Sequence, residues 1–115
     1  MKEQNVILEK SMEFAVRIVN LYKYLNDEKA EHVMSKQMLR SGTSVGANAN
    51  EAVQGQSKGD FIAKMSISLK EATETRYWLT LLHKTEYLTK AQYESISDDC
   101  EEIVRILIAI IKTSK

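Results

Sequence analysis

No proline occurs anywhere in the 115 residues of this chain, and only four glycines do. Proline costs about 3 kcal/mol inside a helix and is the usual punctuation of loops. A chain without it is free to run in long helices joined by short connections. At this length one domain is expected, residues 1–115, with a single core that buries roughly 65% of the surface its unfolded chain exposes.

Hydrophobic spacing agrees with the helical reading. In a first segment from about Asn5 to Leu25, Phe14, Ile18, Leu21 and Leu25 recur every three or four residues, with Glu13, Arg17 and Asn20 on the other side. Asn26-Asp27 reads as a turn, with Asp27 capping a second helix from about Glu28 to Gln54. Its apolar face is modest: Met34, Met38, Val45, Ala49 and Val53. Gly42 and Gly46 lie inside it, each costing nearly 1 kcal/mol relative to alanine, and the segment is read as one continuous helix.

Gly55 closes that helix, and Ser57-Lys58-Gly59-Asp60 opens a third that extends to about Tyr87. Its inner face is expected at Phe61, Met65, Leu69 or Ser68, Ala72, Thr75, Leu79 and Leu82. Thr89 and Gln92 form a capping box for the fourth helix, with Leu88 and Tyr93 spaced as a hydrophobic staple. The fold class is therefore all-α, an antiparallel up-down-up-down four-helix bundle.

The fourth helix is apolar over too wide an arc for a single core. At 100° per residue, Ile103, Val104, Ile106, Leu107, Ile108, Ile110 and Ile111 cover roughly 200°. A second buried surface between subunits is expected to take Val104, Ile108 and Ile111. Gly42 and Gly46 form a small-x-x-x-small pair that lets another helix approach closely, and they are assigned to the same oligomer contact.

Chemistry-bearing motifs are absent or lack their context. Gly42-Thr43-Ser44-Val45-Gly46 fits the letters of the hydrolase nucleophile elbow, which needs a strand-to-helix turn that a helical chain does not provide. A paired-metal bundle would need Glu-x-x-His, but Lys29 precedes His32 and Thr80 precedes His83 at that spacing. Two histidines and one cysteine give no zinc pattern. No metal, no cofactor and no enzymatic activity are expected. Lone Cys100 has no intramolecular disulfide partner, and the run from Ile103 to Ile111 is far short of the ~20 residues that span a bilayer. With no leader pattern at the N-terminus, a cytoplasmic protein without membrane attachment is expected.

Gln37, Ser41, Ser44, Asn48 and Glu51 recur along the second helix at the spacing usually given to core leucines, with Arg40 beside them. Lys70, Glu71 and Glu74 offer the facing spacing on the third helix. Serine and asparagine are poor helix formers, so a plain surface would carry Lys, Glu or Gln instead. A hydrogen-bonded polar seam is expected, within the bundle or between subunits, built from Arg40, Ser44, Asn48, Glu51, Lys70, Glu71 and Glu74. Sixteen basic residues balance sixteen acidic ones, without the positive surplus that phosphate binding favours. Arg40, Lys64, Lys70 and Arg76 are the candidate contacts if RNA or DNA is bound. Trp78 and Tyr77 beside Arg76 suit base stacking or a protein interface.

Arg40-Ser41-Gly42-Thr43-Ser44-Val45-Gly46-Ala47-Asn48, Glu51-Ala52, Ser57-Lys58, Asp60-Phe61, Lys64, Ile67, Lys70-Glu71-Ala72, Glu74-Thr75 and Tyr77-Trp78-Leu79 together resemble the bacterial four-helix bundle proteins first named for intervening sequences of 23S ribosomal RNA genes. The resemblance covers nearly the whole chain. It implies a homopentamer around a central channel, and kinship with the accessory variability protein of diversity-generating retroelements. That relative is a strongly basic pentamer that binds its reverse transcriptase and nucleic acid, and the neutral charge here departs from it. Two functions follow as expectations: a non-enzymatic self-assembling scaffold that binds another protein, or an RNA- or DNA-binding accessory factor.

Overall fold

The computed structural model describes residues 2–115, with side chains from Gln4 onward. Four helices account for nearly all of it: α1 (Lys2–Lys29), α2 (Met34–Val53), α3 (Lys58–Lys84) and α4 (Lys90–Ser114). Contacts run around a closed square, α1 to α2 to α3 to α4 and back to α1, with α2–α3 the tightest seam and α1–α4 the loosest. The resulting rod measures 44 × 20 × 19 Å.

Residue pairing fixes the direction of each helix. Ser41 meets Thr75 while Glu51 meets Lys64, so α3 descends as α2 ascends. Arg17 reaches Asp99 and Lys10 reaches Glu102, which makes α1 and α4 antiparallel as well. Cys100 lies against the Ala72 carbonyl and Tyr93 against Thr80, giving the same sense for α3 and α4. The expected up-down-up-down course follows.

The core takes most of the predicted inner faces, Phe14, Ile18 and Leu25 from α1, Met38, Val45 and Ala49 from α2, Met65, Ala72, Leu79 and Leu82 from α3, and Ile103, Leu107 and Ile110 from α4, and adds Ile7 and Ile96. Leu21, Met34 and Phe61 are only partly covered and Val53 is exposed, because each lies at the edge of its helix's inward stripe. Each fully buried large aliphatic or aromatic side chain contributes about 1.5–3 kcal/mol of transfer free energy. On α3 the inner position is Ser68, with Leu69 only partly covered.

The first connection differs from its expected form. α1 runs through Asn26-Asp27 to Lys29 and ends at Ala30, whose φ of 51° turns the chain. Asp27 is therefore helical and caps nothing. The start of α2 at Met34 is capped by Glu31, whose carboxylate accepts from the backbone N–H groups of Val33 (3.0 Å), Met34 (3.1 Å) and Ser35 (2.7 Å). Three donors converge there because the first turn of any helix leaves its N–H groups without partners. α2 then continues unbroken through Gly42 and Gly46.

The other helix ends follow the sequence closely. Ser57 accepts from Asp60 N–H at the start of α3, and Thr89 with Gln92 forms both bonds of the capping box at α4. α3 stops at Lys84, short of the expected Tyr87. There Glu86 adopts a φ of 70°, and the N–H groups of Glu86 and Tyr87 bond back to His83 and Leu82.

Two assignments to an oligomer contact are corrected by this packing. Gly42 and Gly46 face α1 of the same chain: a Cβ on Gly42 would lie 2.9 Å from Ile18, and one on Gly46 would lie 3.1 Å from Ser11 Oγ. The close approach they permit is α1 on α2. Val104 belongs to the core at 6% exposure, because the wide apolar arc of α4 is shared between its two neighbours and the interior. Ile111 packs against the core with part of its side chain, while Ile108 is 48% exposed.

Candidate functional site

The polar seam divides into a buried layer and a surface layer. In the buried layer Thr75 Oγ1 donates to Ser41 Oγ at 2.8 Å, and Ser68 Oγ donates to the Val45 carbonyl at 2.7 Å. These two bonds tie α2 to α3 inside the core, and the Ser68 bond is one the sequence did not single out. No buried side-chain nitrogen or oxygen among the described residues is left without a partner.

Above it, the outer α2–α3 face carries the charges. Arg40 reaches across to Glu74 at 2.5 Å and Glu71 at 3.4 Å, and Lys64 reaches Glu51 at 2.8 Å. Glu74 also accepts from the Trp78 indole N–H at 3.0 Å, and Tyr77 stands edge-on to Trp78. The Trp78 bond, and behind it Arg40, hold the Glu74 carboxyl below the ordinary range against its partial burial. Ser44 and Asn48 do not cross between helices. Ser44 Oγ donates to the Arg40 carbonyl and Asn48 Nδ2 to the Ser44 carbonyl, both within α2. Their polar groups satisfy the helix that carries them, so the seam is made by the ions around them.

The four candidate nucleic-acid contacts are not gathered into one free patch. Arg40 and Lys64 each spend their charge on a carboxylate of the neighbouring helix, and Arg76 pairs with Glu101 of α4 at 2.8 Å. Lys70 is exposed near Glu74 on the face of Arg40 and Lys64. Arg76 lies on the α3–α4 side.

A second charged seam joins α1 and α4. Arg17 contacts Asp99 at 2.5 Å and Ser95 Oγ at 2.9 Å, while Lys10 pairs with Glu102. Beside Arg17 an open groove of about 520 Å³ is lined by Asn20, Leu21, Ala91, Gln92, Ser95 and Ile96. It follows from the loose α1–α4 seam and holds no converging catalytic groups.

The residues that could carry chemistry are occupied. Gly42 to Gly46 is plain helix, and the Ser44 hydroxyl is committed to a backbone carbonyl. His83 stacks on Tyr93 with centroids 4.5 Å apart and contacts the Leu88 carbonyl; His32 contacts Asn26. Burial, then Glu101, push the buried Cys100 thiol up to about 12, far from the thiolate that nucleophilic chemistry needs. No group of three metal-ligating side chains forms among the described residues, and none of their helices is long and apolar enough to cross a membrane.

Several exposed apolar side chains escaped the sequence reading. Met12 is 61% exposed and Val16 54%, both on the side of α1 turned away from the core, and Ile67 is 40% exposed on α3. Their only signal was position: each falls on the supposedly polar side of its helix, where single apolar residues are common.

No functionally curated protein matches the chain. Among solved structures it is similar to a protein of unknown function from the S23 ribosomal protein family of Bacteroides thetaiotaomicron, with a TM-score of 0.95 and 64% identity. The likeness covers 96% of this chain and 98% of that one. Residues 3–109 match the family described as 23S rRNA-intervening sequence protein, and the chain belongs to that family.

Proposed function

We propose that the chain is a non-enzymatic, self-assembling scaffold, a homo-oligomer that works in the cytoplasm by presenting a surface to another protein. The observation that carries this reading is the set of large apolar side chains left in water, Met12, Val16 and Ile108, on a rod otherwise laced with ion pairs. Met12 and Val16 are one helical turn apart on α1, and exposed apolar side chains grouped in that way mark interaction sites on soluble proteins. A pentamer is the assembly that the family resemblance implies. Light scattering on the eluting protein tests the reading: a mass several times 13.1 kDa supports it, and a clean monomer of 13.1 kDa overturns it.

The alternative is an RNA- or DNA-binding accessory factor, and one observation favours it: Arg40, Lys64 and Lys70 share the α2–α3 face. Copies arranged in a ring would multiply that charge. Each pair would have to exchange a carboxylate for a phosphate, so binding would fall steeply with salt. Fluorescence anisotropy with a labelled structured RNA and a labelled DNA duplex, from low to physiological salt, separates the two. Sub-micromolar, salt-sensitive binding favours the accessory factor; no binding at low salt leaves the scaffold.

A further inference from the structure

The groove between α1 and α4 is lined by charge of one sign. Arg17 and Asn20 of α1 and Gln92 and Ser95 of α4 stand along it, over an apolar floor of Leu21, Ala91 and Ile96. Its volume of about 520 Å³ suits one ligand-sized group, and an apolar floor with a few polar side chains is the usual make-up of such sites. Arg17 is the one ionised side chain in the lining, which contains no carboxylate. The groove at the α2–α3 end is different, since Glu51 and Asp60 line it together with Lys64.

Arg17 is held in place by α4. Its Nη1 donates to Asp99 Oδ2 at 2.5 Å and to the Ser95 carbonyl at 3.3 Å, and its Nη2 to Ser95 Oγ at 2.9 Å. A guanidinium has five N–H donors. Among the described residues the Nε–H and one Nη2–H have no partner, and these two form the side-on edge that grips both oxygens of a carboxylate. Side-chain exposures of 40% and 44% make the Asp99 pair a weak one. It fixes the guanidinium and leaves it able to take a second carboxylate. The capped first turn of α4 starts at the same end of the groove, and its dipole adds positive potential there.

Two carboxamides complete the lining. Asn20 makes no hydrogen bond among the described residues, and Gln92 uses only its Oε1, for the cap. Their remaining donors and acceptor suit a peptide group. A ligand that uses all three features carries a carboxylate, a neighbouring amide and an apolar side chain, which together are the C-terminal residue of a polypeptide. We infer that this groove takes the C-terminal end of a partner protein whose last residue is apolar. Its carboxylate sits on Arg17, its amide on Asn20 and Gln92, and its side chain on Leu21, Ala91 and Ile96. The inference rests on the reading of the chain as a scaffold that binds another protein, and it names what that partner presents.

The test is an NMR titration of the full chain with labelled methyl groups and arginine side chains. N-acetyl-leucine is the probe, and N-acetyl-leucinamide and hexanoate are its controls. N-acetyl-leucine is expected to shift the methyl signals of Leu21 and Ile96 and the Arg17 Nε–H saturably. The amide, without the charge-assisted bonds, is expected to bind about tenfold more weakly, and hexanoate, without a peptide group, more weakly as well. Arg17→Gln should remove the preference for acid over amide, while Ala91→Leu, at an exposed position, should fill the floor and weaken both. Circular dichroism checks that each variant folds; if Arg17→Gln does not, exposed Asn20→Ala should weaken N-acetyl-leucine to the level of hexanoate. Absence of any shift, equal binding of acid and amide, or an acid preference that survives Arg17→Gln overturns the assignment. Hexanoate binding as tightly as N-acetyl-leucine also overturns it, in favour of a free organic acid. Light scattering on the same samples separates the two readings. An oligomer that ignores N-acetyl-leucine removes the groove assignment alone, and a monomer that binds it keeps the groove and removes the assembly.

Discussion

Gly42→Ala is the sharpest probe of how this bundle is packed. In an isolated helix the change would be favourable by about 1 kcal/mol, because glycine is the poorer helix former. Here the new Cβ would lie 2.9 Å from both Cγ1 and Cγ2 of Ile18 and 3.2 Å from Cδ1. Carbon atoms prefer a separation of about 3.5–4.0 Å. Ile18 is fully buried, so it has no solvent to swing into. Overpacking of this kind costs about 1–3 kcal/mol, leaving a net loss of about 1 kcal/mol and a melting temperature lower by about 4 °C. The assay is urea unfolding followed by circular dichroism at one fixed protein concentration, since assembly would make stability concentration-dependent. Ile18→Ala completes the cycle. Alone it should cost about 2–5 kcal/mol, but in the Gly42→Ala background at least ~1 kcal/mol less, because the clash has been removed. A Gly42→Ala variant that is more stable than the wild type, or a cycle that is simply additive, would refute the claim that glycine is required for the α1–α2 approach.

Thr75→Val keeps side-chain volume but takes the donor from Ser41 inside the core. It should cost about 1 kcal/mol in urea unfolding, and adding Ser41→Ala should recover part of that loss. Burial raises the Glu31 carboxyl, but the hydrogen bonds from Ser35, Met34 and Val33 outweigh it and leave the group below its ordinary 4.5. Its stabilisation is thus complete above pH 4.5 and fades as pH falls through the lower folded-state value. Glu31→Gln should lose about 1 kcal/mol at neutral pH and show a shallower decline of stability below pH 4.5. Glu86→Gly should raise the melting temperature by about 2–4 °C, since only glycine adopts the left-handed turn after α3 without steric cost. Cys100 should resist a thiol reagent in the folded protein at pH 8 and react fully in urea; rapid labelling of the native state would contradict its burial.

Ion pairs cross three of the four seams, α2–α3, α1–α4 and α3–α4. Exposed ion pairs contribute only about 0.2–1 kcal/mol each. Arg40 with Glu71 and Glu74, Arg17 with Asp99, and Arg76 with Glu101 therefore matter less for stability than for keeping those sides of the rod hydrated. A charged side resists docking on an apolar one, because desolvating its pairs costs more than the contact returns.

Sequence by itself determined the helical class, most of the core and most of the helix ends. Those features are local: a 3.6-residue period places Phe14, Ile18, Met38, Met65, Leu79 and Leu107 inside, and the caps at Ser57 and Thr89 act within four residues of themselves. The first connection was misread because Asn26-Asp27 has turn composition, whereas the capping is done by Glu31, a residue type that rarely caps from that position. What only tertiary structure decided was partnership. The small-residue spacing of Gly42 and Gly46 announces that a helix comes close but not which helix, and the answer is α1 of the same chain. Of the expected seam, Arg40, Glu51, Glu71 and Glu74 do link α2 to α3, but Ser44 and Asn48 bond within α2, and the buried cross-links come from Ser41 and Ser68. Apolar Val104 and Ile108 are four residues and about 40° apart on one helix, and the packing of the neighbouring helices puts one in the core and leaves the other in water. Periodicity tells a residue which way it points from its own axis, while burial depends on what stands there to meet it.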